Sequence, residues 1–340
     1  MTMTEASPRV AAVVLARDRP VPLRETLDAL LLEQPDVLVL VDNDGTPEVK
    51  ELLRDAADRH PDAEVLSLDR NMGCCGGFEA GLARVMARND VDLVCGFDDD
   101  AVPLPGCLAA LTAAATSLPD VGAVGAVSHD RSGTLAWPMY VIGEETPAVT
   151  VGDVAALAAR RSELPVLNLA WHGLMFPVEV LRRHGNVWGE LFLQYEDIEL
   201  GMRLRGAGLK VYLVPGAECI HPAPPAARAV MIFGRQIDVT AQTPVKEYLT
   251  LRNGLVVRQR YEGLRFWYGT GPFVLIRGFL SSLALDVPTL PALWNVFVRG
   301  VVDAIRGRLG PPPAATVALS SRAQAPAGKP PSAAAPSTPK

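Results

Sequence analysis

The first hundred residues alternate between two hydropathy patterns. Short unbroken apolar runs (RVAAVVLA at 9–16, DVLVLVDN at 36–43, AEVLSL at 63–68, VDLVCGF at 91–97) are separated by longer stretches with helical spacing. PLRETLDALLLE (22–33) places Leu23, Leu27, Leu30 and Leu31 on one face, and TPEVKELLRDAADRH (46–60) and GGFEAGLARVMAR (76–88) also read as helices. Strands that are apolar without alternation are buried on both faces, and the intervening helices supply the cover. The pattern predicts a doubly wound α/β domain with a mostly parallel sheet. Ligands of such sheets bind past the carboxyl ends of the strands. Asp18, Asp42, Asn71 and Asp98 each lie just beyond a strand, so they converge on one edge.

Beyond residue 105 the alternation loosens. LAALTAAATSL (108–118) predicts a helix and VGAVGAVS (121–128) a strand, followed by hairpin-like pieces over 131–170. PVEVLRRHG (177–185) and QYEDIELGMRLRGAG (194–208) predict helices before the strand LKVYLVP (209–215). A longer helix, PVKEYLTLRNGLVVRQRYEG (244–263), precedes apolar helical segments at 270–286 and 290–308. These features divide the chain into an α/β body (1–226), a helical region (227–310) and a Pro/Ala/Ser-rich tail (311–340) expected to be disordered.

Charge sharpens this division. Residues 1–226 carry 18 Lys and Arg against 33 Asp and Glu, whereas 227–308 carry 11 against 5. A basic, apolar segment on an acidic body fits either an anionic surface as partner or a solvated helical face. The mean hydropathy of +0.18 lies on the apolar side for a soluble protein. No run of about 20 uncharged apolar residues predicts a spanning helix, and no leader pattern opens the chain. Five cysteines without zinc-site spacing fit a reducing compartment.

Four stretches carry candidate chemistry. In VCGFDDDAVP (94–103) three carboxylates leave a buried strand, and an extended backbone would aim Asp98 and Asp100 to one side and Asp99 to the other. That pair suits Mg²⁺ or Mn²⁺ bridging to a diphosphate; the plainer reading is a solvated turn. LDRNMGCCGGFEAGL (68–82) sets Asn71, Gly73, Gly76 and Gly77 between a strand and a helix, either for phosphate approach to backbone N–H groups or for a tight turn. Glu196 and Asp197 in QYEDIEL either complement a helix dipole or supply a general base, while Glu199 and Arg203 are spaced for an i, i+4 ion pair. His221 after the last strand reads as structural or as a ligand, and WHGLMF (171–176) as pocket lining or core.

Taken in order, ARDRP (16–20), LVDNDGT (40–46), RNMGCCGGFEAG (70–81), FDDDA (97–101), WHGLMF (171–176), YEDIELGMRLRGAG (195–208) and His221 resemble the family 2 inverting glycosyltransferases of GT-A fold. Within them the set is most similar to the galactofuranosyl- and rhamnosyltransferase-like branch of actinobacteria. The resemblance covers roughly residues 9–265. It implies a metal, Mn²⁺ or Mg²⁺, on Asp98, Asp100 and His221, and a catalytic base at Asp197 with Glu196 beside it. It further implies donor nucleotide-sugar contacts from Arg19, Asp42, Asn71, Gly73, Asp98 and Asp99, and an acceptor or sugar pocket at Trp171, His172 and Gly173. The sequence departs from the family's pattern at Ala16-Arg17-Asp18, where TYN is usual, and at Cys74-Cys75.

The expected reaction moves a sugar, galactofuranose or rhamnose favoured, from a UDP- or dTDP-sugar to a cell-envelope glycan or polyprenyl-linked acceptor. The expected place is the cytoplasmic face of the plasma membrane, held peripherally through Arg252, Arg258, Arg260, Arg265 and the apolar residues around them. No nucleic-acid partner is expected, and the sequence does not fix the oligomeric state. A nucleotidyltransferase of related fold would need a glycine-rich basic loop, which ARDRPVP (16–22) lacks. A non-catalytic sugar-binding relative would have no use for Asp197.

Overall fold

The computed structural model describes residues 7–222, 227–232, 235–240, 242–283 and 290–324. Its first half follows the sequence pattern closely: β1 (Val10–Ala16), α1 (Pro20–Glu33), β2 (Val37–Asp42), α2 (Pro47–Asp58), β3 (Ala63–Ser67), α3 (Gly73–Met86) and β4 (Leu93–Asp98). β3, β2, β1 and β4 are neighbours in that order, all parallel. β1 and β2 are buried along their whole length, as runs without polar alternation require. Pro20 and Pro47 open α1 and α2, where a missing N–H costs nothing, and Thr46 caps α2 through the Val49 N–H.

The second half extends the sheet with β5 (Val102–Pro103), α4 (Cys107–Ser117), β6 (Val121–His129), β7 (Thr134–Met139), β8 (Ala148–Thr150), α5 (Val151–Ala158), β9 (His172–Pro177), α6 (Val178–His184), α7 (Glu196–Gly206) and β10 (Lys210–Ile220). β9 takes in His172 to Phe176 of WHGLMF and continues to Pro177, a stretch that does not read as a strand in the sequence. It runs antiparallel between β4 and β6, so the sheet is mixed in its middle: β3-β2-β1-β4-β9-β6-β10-β5. A hydrophobic core lies on each face. β6 and β10 pair in parallel, with a register break between Val214 and Glu218 that carries β10 on to Ile220 and places His221 beside Asp100.

The hairpin β11 (Ala227–Ile232) and β12 (Arg235–Thr240) leads to α8 (Pro244–Glu262), α9 (Arg265–Tyr268), α10 (Thr270–Leu283), α11 (Leu290–Leu293), a π-helical turn (Trp294–Val298) and α12 (Arg299–Ile305). Among the described residues no helix is long and apolar enough to cross a membrane. The tail expected to be disordered from residue 311 begins instead with a helix, α13 (Ala314–Gln324). It is tied down by the Thr316 hydroxyl, which donates to the Asn295 carbonyl, and by Ser320 Oγ, which accepts from the Val245 N–H. Residues 325–340 lie outside the described residues.

Candidate active site

β4 stops at Asp98, and Asp99 and Asp100 turn away from the strand. The alternation expected of an extended triplet therefore fails at its second residue. Arg19, one residue before α1, donates from one guanidinium to both Asp99 Oδ1 and Asp100 Oδ2, so these two carboxylates share a cation rather than facing opposite sides. His221 Nε2 lies 3.4 Å from Asp100 Oδ1. His172 Nε2 lies 3.7 Å from Asp98 Oδ2, its Nδ1 2.9 Å from Ser128 Oγ, and its ring stacks on His221 at 3.8 Å.

The protonation pattern follows from burial and from this charge imbalance. Burial pushes Asp98 well above the usual carboxylate range, and Asp100 and Asp99 add to it. Asp99 rises to about 6 through burial, against the opposing pull of Arg19. Burial also works on Asp100, but its bonds to His221 and Arg19 prevail and hold it below the usual range. His172 falls to about 3 through burial, with His221 and Arg19 adding to the shift, and is a neutral imidazole. One guanidinium thus faces three carboxylates, an excess of negative charge that a divalent cation would neutralise.

Among the described residues no three acid, His or Cys side chains form a ready-made metal cage. Mg²⁺ commonly takes only one or two protein carboxylates and completes its shell with substrate phosphates and water. Asp98 and Asp100 with the imidazole of His221 are chemically suited to such a shared site.

The glycine loop makes a tight turn against the segment before α7, one of the two readings the sequence allowed. Gly73 has φ +73°, and a Cβ there would stand 1.9 Å from the Phe192 carbonyl oxygen. That oxygen accepts the Cys75 N–H at 3.1 Å, which occupies one backbone donor at the start of α3. Gly77 and Gly81 let α3 lie against Leu15 and Val13 of β1. Asn71 Oδ1 accepts the Gly73 N–H, and the buried Asn43 clasps the loop through the Met72 N–H and the Gly73 carbonyl. Asn43 carried no signal beyond its place beside Asp42. Asp42 is itself buried, with Oδ1 accepting the Gly45 N–H at 2.7 Å.

Glu196 and Asp197 open α7 but diverge. Glu196 is buried and accepts from the thiols of Cys75 (3.5 Å) and Cys74 (3.7 Å). Burial and the neighbouring Asp197 raise its pKa. Asp197 Oδ2 accepts from Asn168 Nδ2 at 2.7 Å, and burial raises its pKa as well. Asp197 lines a cleft with Asn168, Ser128, His172, Trp137 and Tyr140; Glu196 does not. Glu199 and Arg203 form the expected ion pair at 2.9 Å.

The segment leading into α7 is held in an unusual conformation. Phe192, Gln194 and Tyr195 all have left-handed backbones, with φ of 69°, 72° and 75°. Asn253 on α8 fixes this segment, with Nδ2 donating to the carbonyls of Leu191 (3.0 Å), Leu193 (2.9 Å) and Gln194 (2.8 Å). Arg252 beside it donates to the carbonyls of Leu191 and Gly310. Arg252 is 1% exposed, so it is not part of a membrane-facing basic surface as expected. Arg258 pairs with Glu262, and Arg260 lies over the Trp188 ring. The helical region is therefore built into the active-site support rather than appended to it.

Two of the three residues expected in a sugar pocket lie in the core. Trp171 is 1% exposed and stacks on Phe78 at 4.0 Å, in space that Gly96 leaves open by lacking a side chain. Gly173, at φ +84°, packs against Ala126 and the Cys219 sulfur. Only His172 reaches the cleft. Sequence reasoning missed Asn168, Asn253 and the cleft wall at Trp137 and Tyr140.

Residues 8–246 match the model of the glycosyltransferase like family 2. Galactofuranosyltransferase GlfT1 of Mycolicibacterium smegmatis is 28% identical over 83% of this chain and 94% of its own length. The protein of that name from Mycobacterium tuberculosis is 30% identical over 81% and 90%. An N-acetylglucosaminyl-diphospho-decaprenol L-rhamnosyltransferase of M. tuberculosis is 28% identical over 57% of this chain and 68% of its own length. Among solved structures, the mannosyltransferase PcManGT of Pyrobaculum calidifontis, in complex with GDP-Man and Mn²⁺, superposes with a TM-score of 0.53 at 16% identity, covering 89% of this chain and 84% of its own. GalNAc-T7 with UDP, GalNAc and Mn²⁺ gives 0.56 at 14% identity, covering 79% and 51%. The fold is GT-A, and the chain belongs to glycosyltransferase-like family 2.

Proposed function

We propose that this glycosyltransferase moves a sugar, with galactofuranose or rhamnose favoured, from a nucleoside diphosphate donor to a hydroxyl of a cell-envelope glycan or lipid-linked acceptor, with inversion. The observation that carries this reading is the cleft shared by Asp197 and His172. Asn168 orients the Asp197 carboxylate in this cleft, and His172 in its wall lies 3.7 Å from Asp98 and stacks on His221, which with Arg19 flanks Asp100. Asp197 takes the proton from the acceptor hydroxyl as its oxygen bonds to the anomeric carbon. The bond to the diphosphate breaks on the opposite face, so one displacement inverts the configuration. Burial raises the proton affinity of Asp197 toward working pH, which favours a general base. Glu196, turned toward Cys74 and Cys75, is not placed for this step.

Asp98, Asp100 and His221 would hold Mn²⁺ or Mg²⁺, which when bound supplies positive charge to the leaving diphosphate. Transfer of radiolabel from a panel of UDP- and dTDP-sugars to a polyprenyl-linked glycan tests the whole reading. The reaction stops in EDTA and returns with either ion. Full activity in chelator removes the metal role, and no transfer from any donor removes the reading.

The helical region is proposed to rest on the inner face of the plasma membrane. Leu264, Trp267, Tyr268 and Phe273 are 81%, 53%, 77% and 67% exposed, beside the exposed Arg265 and Arg277. Large rings flanked by arginine match an anionic bilayer surface. Truncation after Glu262 is unsuitable as a test, because Arg252 is bonded to Gly310 and Tyr248 to Asp303. Trp267→Glu with Phe273→Glu abolishes co-sedimentation with anionic vesicles; unchanged pelleting contradicts the docking.

A further inference from the structure

The cleft beside Asp197 has a wall that donor chemistry leaves unused. It is formed where β7 ends, by Trp137, Pro138, Met139 and Tyr140, with Asn168 and Asp197 also lining the space. Trp137 and Tyr140 are 44% and 53% exposed, although the residues just before them on β7, Leu135 and Ala136, are buried. A single exposed ring is unremarkable. Two rings lining the same cleft as a carboxylate held in one orientation form a recognition surface. The chain's other pocket-like tryptophan, Trp171, is sealed in the core and cannot serve.

The lining chemistry selects the occupant. Beside Asp197 and His172, the polar side chains here are the uncharged Ser128 and Asn168, and His172 is bonded to Ser128. Among the described residues no Lys or Arg lines this cleft, which does not suit it to a diphosphate; the guanidinium of Arg19 stands with Asp99 and Asp100 instead. A neutral sugar ring fits. Its C–H face carries slight positive charge and lies against the negative face of an aromatic ring, while its hydroxyls remain free to bond. Aromatic side chains also lose little conformational freedom on contact, and Pro138 stiffens the backbone between Trp137 and Met139.

We infer that Trp137 and Tyr140 form the platform for the terminal sugar of the acceptor, directing one of its hydroxyls at Asp197. Asn168 Nδ2 donates to Oδ2, and the backbone N–H groups of Asp197 and Ile198 also bond to the carboxylate, so its orientation in the cleft is fixed. This assignment rests on the glycosyl-transfer reading, and its test separates the two.

Binding is measured without turnover, by saturation-transfer NMR with octyl glycosides of rhamnose, galactose and N-acetylglucosamine, and with 1-octanol as a chain control. On the wild type, ring protons of at least one glycoside receive saturation. The signal falls about tenfold in Trp137→Ala, the size expected for losing one ring contact, and persists in Trp137→Phe. The acceptor KM rises by a similar factor in Trp137→Ala and Tyr140→Ala, while UDP affinity stays within twofold of wild type. Unchanged sugar signal and unchanged acceptor KM in Trp137→Ala overturn the platform, as does saturation confined to the octyl chain. Sugar binding lost in Trp137→Ala, in a protein that transfers from no nucleotide sugar, supports the platform and overturns the transferase reading.

Discussion

Asn253 lies outside every sequence motif, yet its loss is expected to displace α7, the helix that carries the proposed base. It sits on α8, 0% exposed, and its two amide hydrogens serve three carbonyls of the segment entering α7. Its Oδ1 accepts from Arg252 Nε at 2.9 Å. Asn253→Ala strands these buried groups, at roughly 1–3 kcal/mol for each of about two lost bonds, or about 2–6 kcal/mol in all. The segment has reason to relax when released, because each left-handed residue among Phe192, Gln194 and Tyr195 costs on the order of 1–3 kcal/mol. Relaxation moves Asp197, two residues beyond Tyr195, and a displacement of about 1 Å at a reacting group lowers a rate by roughly 100-fold. Urea unfolding should show the stability loss, and transfer kinetics a kcat reduced by about that factor, with donor affinity nearly unchanged. Asn253→Asp keeps the shape but turns a carboxylate toward the same carbonyls, and should behave no better. A variant that loses the stability but keeps kcat within twofold of wild type refutes the claim that this contact positions Asp197.

Three further outcomes follow from individual contacts. Asn168→Ala removes a donor that favours the charged form of Asp197; because Asp197 must be ionised to accept a proton, the acidic limb of the kcat/KM profile moves to higher pH, and an unmoved limb contradicts the base assignment. Glu247 is buried and raised to about 7 by burial, so the folded state binds its proton more tightly than the unfolded state and stability declines between about pH 4.5 and 7. Glu247→Gln should therefore raise the melting temperature at pH 8, by an amount equivalent to about 3 kcal/mol, and change it little at pH 4.5; equal shifts at both pH values would count against this. Gly73→Ala should fail to fold or lose transfer, because its Cβ would collide with the Phe192 carbonyl at a φ of +73°; a fully active alanine variant excludes the close approach of α3 to the catalytic segment.

The parts of the fold legible in the sequence are those whose signals are local. β1 through β4 and their helices announce themselves because both sheet faces are covered, leaving unbroken apolar runs between helical stretches. β9 did not, because a strand of six residues runs directly into α6 without a turn signal, and its Trp-His-Gly entry resembled a pocket. What buries Trp171 is the missing side chain of Gly96, a complementarity across the sheet that spacing cannot encode. The charged residues of the candidate site stand out in the sequence for the opposite reason: Asp98, Asp100, Asp197 and His221 are polar at strand and helix ends where burial disfavours them. Their orientations were not legible, since the turn at Asp99 and the reach of Arg19 depend on where α1 begins relative to β4. Asn168, Arg252 and Asn253 act through side-chain bonds to residues distant in sequence and leave no periodic trace. The helix Ala314–Gln324 was hidden by a composition that reads as disorder, overridden by anchoring of Thr316 and Ser320.

The central claim is that Asp197 is the base of an inverting transfer, and it is tested most directly by single-turnover transfer from radiolabelled nucleotide sugar with Asp197→Asn. The substitution preserves the size of the side chain and its place at the start of α7. The account predicts a chemical step slowed by at least about 100-fold, with donor binding within threefold of wild type. A chemical step at the wild-type rate would contradict it.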